Sequence, residues 1–103
     1  MLDCRAMAVV EVQTFRLVAP TDESRFLDAD SRVQAEFIPN RPGFLRRTTA
    51  RAIDGEWLVV VLWASMADAA TTQQHEDRHP AITDFFGFVD RATFARRRYE
   101  TLE

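Results

Sequence analysis

The residues with the most recognisable chemical spacing are His75-Glu76-Asp77-Arg78-His79, which match the H-E-x-x-H pattern of zinc hydrolases. Zinc binding by this pattern needs both histidines on one face of a helix, one turn apart, with the glutamate between them as base. Pro80 biases the residue before it away from helical geometry. The two middle positions are charged and no third ligand is indicated. The segment therefore predicts a solvated helix end and no metal site.

His79 taken alone has a second interpretation. Proline is well tolerated at the first position of a helix, so His79 would be the N-cap of a short helix that begins at Pro80. From that position its imidazole could point into a pocket and act as a base, because histidine titrates near neutral pH. A surface histidine that only caps the helix also fits the sequence.

Polar and aromatic side chains on the predicted strands are further candidates. Glu11 and Gln13 would belong to a pocket if their side of the first strand faces a cavity, and otherwise to a partly exposed rim. Trp63 ends the third strand and forms either the wall of a pocket or part of a simple core. Arg98 and Tyr99 on the last strand could orient an anionic or phenolic ligand. A strand that crosses a dimer interface explains these two residues equally well.

The segment that follows Pro80 is rich in phenylalanine, and its apolar residues, Phe85 and Phe86 among them, predict a short helix that plugs the core. The same rings would line a pocket. The chain has no glycine-rich phosphate loop, no G-x-S-x-G elbow and no nucleophile–base pair. Nucleotide binding and covalent hydrolysis therefore have no support.

Turn and cap signals set the order of the elements that must position these residues. Asp54-Gly55 predicts a hairpin turn, and Ser65 to Asp68 form a helix-start box. The order is strand, helix, strand, strand, helix, strand, which is the ferredoxin-like βαββαβ arrangement, an α+β fold with an antiparallel four-stranded sheet. We predict four strands, over residues 8–18, 44–53, 56–64 and 93–102, and a bulge in the first of them near Gln13-Thr14. We predict three helices: one capped at residue 21 or 22 and ending near residue 38, one that begins at residue 66 and one that begins at residue 80.

The third predicted strand is apolar on both sides. Trp57, Val59, Val61 and Trp63 point one way and Leu58, Val60, Leu62 and Ala64 the other, so both faces of the sheet must be covered. Two helices cover one face, and the other becomes an oligomer interface or the wall of a cavity. We expect polar strand residues on this second face, which would make it partly wet; they are Glu11, Gln13, Arg47, Arg51, Arg96 and Arg98.

Composition limits the class of protein. The 103 residues, 47% of them hydrophobic, predict one domain over 8–103 after a flexible tail over 1–7. The formal charge of −3 argues against nucleic acid or an anionic membrane as partner. Cys4 is the only cysteine, which fits a reducing cytoplasm. The longest apolar run is too short to cross a bilayer.

Four short segments together resemble the dimeric α+β barrel superfamily, and within it the antibiotic-biosynthesis-monooxygenase-like proteins. They are the V-V-E-V-Q-T-F-R-L first strand, Asn40-Arg-Pro-Gly-Phe44, Trp63-Ala-Ser-Met-Ala-Asp-Ala69 and His79-Pro80-Ala81. The resemblance covers roughly residues 8 to 102. It implies a homodimer whose two sheets pack face to face, a dimeric α/β barrel, with a pocket in each subunit between sheet and helices.

The chemistry of that superfamily divides into two branches. Some members oxidise polycyclic phenols to quinones without a cofactor, and others degrade heme with an Asn on the first strand, a Trp on the third and a His on the second helix. Trp63 could match the Trp and His75 or His79 the His, but the first strand has no Asn and its nearest counterpart is Val12. The resemblance therefore implies phenol oxidation with no cofactor and no heme.

The resemblance thus implies a cofactor-independent monooxygenase acting on a small aromatic or polycyclic phenol. The substrate supplies the carbon that reacts with oxygen, so the protein mainly has to deprotonate and hold it. The alternative is a non-catalytic binding or sensing module that uses the same pocket. The predicted catalytic residues are His79 and Glu11, and the predicted substrate-binding residues are Trp63, Gln13, Phe85, Phe86, Tyr99 and Arg98.

Overall fold

Four antiparallel strands form a single sheet in the computed structural model, which describes residues 8–102. The predicted tail over 1–7, with Cys4, lies outside the described residues, as does Glu103. The strand order β2-β3-β1-β4 confirms the predicted α+β ferredoxin-like arrangement. The strands are β1 Val9–Leu17, β2 Phe44–Arg51, β3 Trp57–Trp63 and β4 Val89–Glu100.

Strand β1 is one of the two central strands of the sheet, and its pairing with one neighbour is irregular next to the position of the predicted bulge. From Val9↔Trp63 to Phe15↔Trp57 it pairs with β3 without interruption. The register shifts only against β4, between Thr14 and Arg16. The bulge predicted near Gln13-Thr14 was inferred from apolar residues of both parities. The irregularity is therefore present in the pairing with β4 and absent from the pairing with β3, and the apolar residues of the two parities lie on the two faces of the strand.

Three helices lie on one face of the sheet. Asp22 and Ser65 cap the first two, each side chain accepting a hydrogen bond from a backbone N–H of the first turn, that of Ser24 at 2.9 Å and that of Asp68 at 3.1 Å. No helix within residues 8–102 combines the length and the apolar character that crossing a membrane requires. The helices are α1 Glu23–Arg32, α2 Met66–His75 and α3 Pro80–Gly87. Helix α1 continues as a π-helical turn, Val33–Phe37, and a 3-10 turn, Ile38–Asn40, and a 3-10 turn, Glu76–Arg78, joins α2 to α3.

The core lies between the helices and the face of the sheet that carries Trp57, Val59, Val61 and Trp63, all buried. Aromatic rings pack edge to face in its centre, with the ring of Phe15 5.7 Å from that of Phe85. We call this the covered face. The alternation predicted for the third strand is confirmed, because the side chains between these four are only half-buried.

The polar strand residues lie on the covered face, so their predicted placement on the other face was wrong. Glu11 pairs with Val61 and Arg98, and Gln13 with Val59 and Arg96, so all of these share one side. Glu11 and Gln13 are only 3% and 7% exposed. Charged groups are tolerated there because Arg96 and Arg98 both pair with the carboxylate of Glu11, at 3.3 and 2.9 Å.

The opposite face, which we call the uncovered face, is apolar at its centre. Its half-buried side chains are Val10, Val12, Leu58, Val60 and Leu62, and its exposed margins carry residues such as Arg46, Thr48, Arg97 and Tyr99. An apolar sheet face without helices is unusual, because the uncovered side of an antiparallel sheet is normally polar.

Candidate functional site

A small internal void lies between the covered face and the helices. Its volume is about 20 Å³, enough for one water molecule. A carboxylate and an amide from β1 reach the void, and so do two phenylalanine rings from α3. Its lining includes Glu11, Gln13, Trp63, Glu76, Phe85 and Phe86.

Glu11 is the centre of a buried polar cluster beside the void. Its Oε1 accepts a hydrogen bond from Arg98 Nε at 2.9 Å, and its Oε2 accepts one from Gln13 Nε2 at 2.6 Å. Arg98 also donates to the side-chain oxygen of Gln73 on α2. Charge-assisted hydrogen bonds of this kind hold a carboxylate in one orientation. The cluster therefore fixes Glu11 and leaves neither of its oxygens without a partner.

Glu76 is a second carboxylate beside the void, held in the 3-10 turn between α2 and α3. Arg96 Nη2 donates to both of its oxygens, at 3.0 and 2.8 Å. Burial raises the pKa of Glu76 above its ordinary value, and the positive charge of Arg96 opposes that rise only in part. The negative charge of Glu11 pushes the pKa of Glu76 in the same direction as burial.

Trp63 contributes a polar hydrogen that the protein leaves unused. The residue is 2% exposed, and its indole N–H has no acceptor among residues 8–102. Most buried donors of this kind are paired, and an unpaired one costs free energy. Trp63 lines the void, so a bound water or a ligand hydroxyl there could accept this hydrogen bond.

An open cleft of about 730 Å³ lies next to the void, between β4 and the segment that joins α2 to α3. Its size falls within the range of small-molecule sites. Phe86 and Phe94 give it aromatic walls, with ring centroids 5.3 Å apart. Glu76, Ile82 and Phe86 line both the cleft and the void, so these three side chains separate one from the other.

Five of the predicted site residues are brought together around the void: Glu11, Gln13, Trp63, Phe85 and Phe86. Arg98 does not line it, but it holds Glu11 in place. Tyr99 pairs with Val10 and therefore lies on the uncovered face, next to Arg97, whose guanidinium carbon is 5.1 Å from the Tyr99 ring centroid. Consecutive residues of a strand point to opposite faces, so Arg98 and Tyr99 cannot both reach one pocket of the same chain.

His79 occupies the N-cap position predicted for it. Its Nδ1 accepts a hydrogen bond from the Ala81 backbone N–H at 3.1 Å, and its ring packs edge to face against Phe37 at 5.3 Å. It is not among the residues that line the void or the cleft. The geometry thus gives His79 the capping role and leaves its nitrogen lone pair engaged with the backbone.

The H-E-x-x-H pattern divides between two elements. His75 ends α2 and bonds the carbonyl oxygen of Thr71 through Nδ1 at 2.8 Å, while His79 follows the 3-10 turn. Among residues 8–102, no three His, Cys, Asp or Glu side chains are placed to hold a metal ion together.

Sequence reasoning treated Glu76 only as a member of the zinc pattern and did not identify its pairing with Arg96. A signal was available, because Ile82 and Phe86 after the proline are apolar residues under which a preceding glutamate could be buried. Arg47 was missed as well. It is buried beside the void, where it pairs with Asp30 at 2.7 Å with a side chain only 5% exposed.

Comparison with known proteins gives matches in structure alone. No protein-family model and no curated protein sequence matches the chain. SnoaB, a cofactor-independent oxygenase from Streptomyces nogalater, is 19% identical with a TM-score of 0.77, and the match covers 95% of this chain and 96% of SnoaB. A proposed antibiotic biosynthesis monooxygenase from Bordetella bronchiseptica is 14% identical with a TM-score of 0.78, covering 94% of this chain and 99% of that one.

A third similar structure is a dimeric ferredoxin-like protein of unknown function from Thermobifida fusca. It is 12% identical with a TM-score of 0.72, and the match covers 98% of this chain and 97% of that one. Identities this low establish shared architecture and leave chemistry open. The chain therefore shares its fold with SnoaB, with the proposed antibiotic biosynthesis monooxygenase and with the dimeric ferredoxin-like protein.

Proposed function

We propose that the chain is a cofactor-independent monooxygenase that acts on a small aromatic or polycyclic phenol bound between the sheet and the helices. One observation carries the proposal: Trp63, whose buried indole N–H has no acceptor among residues 8–102, lines a void that adjoins an aromatic cleft. The fold shared with SnoaB, a cofactor-independent oxygenase, adds support.

The void alone is too small for an aromatic ring, so the ligand must use the cleft. At about 20 Å³ the void accepts one hydroxyl group, whereas the cleft of about 730 Å³ accepts a fused ring system. We infer that the ring lies against Phe86 and Phe94 and that its hydroxyl passes between Ile82 and Phe86 to reach the Trp63 N–H. Binding then requires a rotation of the Phe86 side chain, which is half-buried.

The reaction needs no external electron donor. A ring C–H next to an ionised phenol is electron-rich and reacts with O₂, one oxygen atom becomes the new quinone oxygen, and the other leaves as water with the phenolic and the ring hydrogens. The protein then has to orient the ring and accept the phenolic proton. The Trp63 N–H would donate to the phenolic oxygen and so favour its ionised form.

We further propose that two chains pair through their uncovered faces. The half-buried Val10, Val12, Leu58, Val60 and Leu62 form a continuous apolar surface on adjacent strands. Surfaces of this kind at the centre of a polar rim mark protein interfaces. A second copy offers the complementary surface because a two-fold axis pairs a patch with itself.

Oxygen consumption with 2-naphthol and anthrone tests the catalytic proposal. We expect consumption in step with quinone formation, without added metal, flavin or heme. Binding without oxygen consumption would instead establish the alternative, a non-catalytic module. If neither compound binds, the pocket proposal is wrong.

Trp63→Phe tests the role of the indole N–H. Loss of one hydrogen bond to the ligand should weaken 2-naphthol binding by about tenfold, measured by isothermal titration calorimetry. Trp57→Phe is the matched control, since Trp57 lies on the same strand and face but packs on Phe26 at 4.9 Å and lines neither the void nor the cleft. Equal weakening by the two substitutions would contradict the proposed contact.

A further inference from the structure

Glu76 is the one carboxylate of the described residues that lines both the inner void and the outer cleft. Its side chain is 20% exposed, so one part contacts the cleft while the remainder is buried. It stands in the 3-10 turn Glu76–Arg78, directly before the helix that carries Ile82 and Phe86. A ligand hydroxyl that passes from the cleft to the void between Ile82 and Phe86 therefore comes close to this carboxylate.

The two carboxylates beside the void differ in how firmly they are held. Glu11 has both oxygens engaged by separate residues, Arg98 and Gln13. Among residues 8–102, Glu76 has a single partner residue, because both of its hydrogen bonds come from the same Nη2 of Arg96. A small rotation about the Glu76 side chain would free one oxygen while the other keeps its bond, whereas Glu11 cannot turn without breaking the cluster.

We propose that Glu76 is the catalytic base that takes the phenolic proton and passes it to water in the cleft. This inference rests on the function proposed above and names a residue for its proton transfer. The phenol O–H bond breaks, its electron pair stays on the oxygen, and a new O–H bond forms on a Glu76 oxygen. Glu76 then releases the proton to water in the cleft, and the departing oxygen takes up an equivalent proton from that water as it leaves as water.

The charges around Glu76 suit this transfer. While the carboxylate is ionised it offsets the guanidinium of Arg96, and once it is protonated the same guanidinium faces the newly formed phenolate. The net charge of the site is unchanged, which avoids a buried unpaired charge. The charged groups packed against Glu76 are Arg96 and Arg98 on β4 and Glu11 on β1, with Asp77 beside it and Arg91 across the cleft.

Burial also brings the pKa of Glu76 closer to that of the phenol that donates the proton. The pKa of Glu76 is raised by burial, and a base is more effective as its pKa approaches that of the proton donor. Arg96 has an Nε that lies 3.3 Å from Glu11 Oε2 without hydrogen-bond alignment, so it can shift toward a phenolate without losing a hydrogen bond at that atom.

The test compares Glu76→Gln with the wild type in the rate of oxygen consumption on two substrates. With 2-naphthol, which must lose a proton, we expect a fall in kcat of about 100-fold or more. With a nitronaphthol that is already ionised at the assay pH, the rate should stay within about threefold of wild type, since no base is needed. Glu23→Gln is the matched control, because Glu23 also pairs with an arginine, Arg51, but on the exposed surface.

The pH profile of the wild type gives a second readout that needs no variant. The rate with 2-naphthol should fall as pH decreases through the raised pKa of Glu76, because protonation removes the base, and the ionised substrate should lack this decline. Equal losses on both substrates, or an unchanged rate in Glu76→Gln, would overturn the role of Glu76 while leaving the monooxygenase proposal intact. A wild type that consumes no oxygen with either substrate would overturn both.

If Glu76→Gln does not fold, as judged by circular dichroism, the wild-type pH profile decides the question. A decline at low pH with 2-naphthol alone supports Glu76 as base, and identical profiles for the two substrates contradict it.

Discussion

The two faces of the sheet are built in opposite ways. The covered face, which lies under three helices, carries two tryptophans and the buried Glu11 and Gln13, with arginines from β2 and β4. The uncovered face carries valines and leucines at its centre, and no helix within residues 8–102 lies over it. In a typical antiparallel sheet with helices on one side, the apolar residues lie under the helices and the polar residues face water.

This reversed distribution of polar and apolar residues indicates that the two faces have different roles. Buried charge costs free energy and adds little stability, so a sheet keeps it under helices only where it is compensated or used. An exposed apolar centre is equally unfavourable for an isolated chain. The covered face therefore fits a site, and the uncovered face fits an interface between copies. The same type of substitution should therefore have different effects when it is made on the covered face and on the uncovered face.

The largest difference is expected between Val61→Asp and Val60→Asp, neighbours on opposite faces. Val61 is 2% exposed on the covered face, and an unpaired carboxylate there should lower the free energy of unfolding by about 4 kcal/mol, measured by urea denaturation. Val60 is half-buried on the uncovered face, so its substitution should leave each chain folded and convert the proposed dimer to monomers in sedimentation. Monomeric wild-type protein at micromolar concentration would contradict the proposed interface.

A smaller difference is expected between two glutamates that pair with arginine. Glu11→Ala leaves the half-buried Arg98 without its buried carboxylate partner and should cost about 3 kcal/mol of unfolding free energy. Glu23→Ala removes an ion pair whose side chains are 48% and 50% exposed, and it should change stability by at most about 0.5 kcal/mol. Similar costs for both would show that the cluster around Glu11 is no more than a surface-type ion pair.

The smallest effect is expected at His79, which lies at the edge of the covered side. His79→Ala removes the cap on α3 and should lower stability by about 1 kcal/mol, with no change in 2-naphthol affinity or in the rate of oxygen consumption. His79→Asn supplies another capping acceptor and should recover most of the loss. A rate that drops with His79→Ala and does not recover with His79→Asn would return His79 to the role of base predicted from the sequence.

Much of the fold was determined by local sequence. Asp54-Gly55, the caps at Asp22 and Ser65, and Pro80 mark turns and helix starts, and each acts through contacts within a few residues along the chain. The strict alternation of Trp57–Trp63 also showed that two different surfaces exist. These features follow from backbone geometry and hydrogen bonding between near neighbours, so they could be predicted without the structure.

Only the tertiary structure decided which surface the helices cover and which side chains meet there. Alternation along a strand defines two sets of residues, but it does not say which set is packed, and so the polar residues were predicted on the wrong face. The pairs that form the site join residues distant in sequence, such as Arg98 with Glu11 and Arg96 with Glu76. Their contact depends on sheet order and on the placement of the turn after α2, because long side chains find partners only after the backbone has folded.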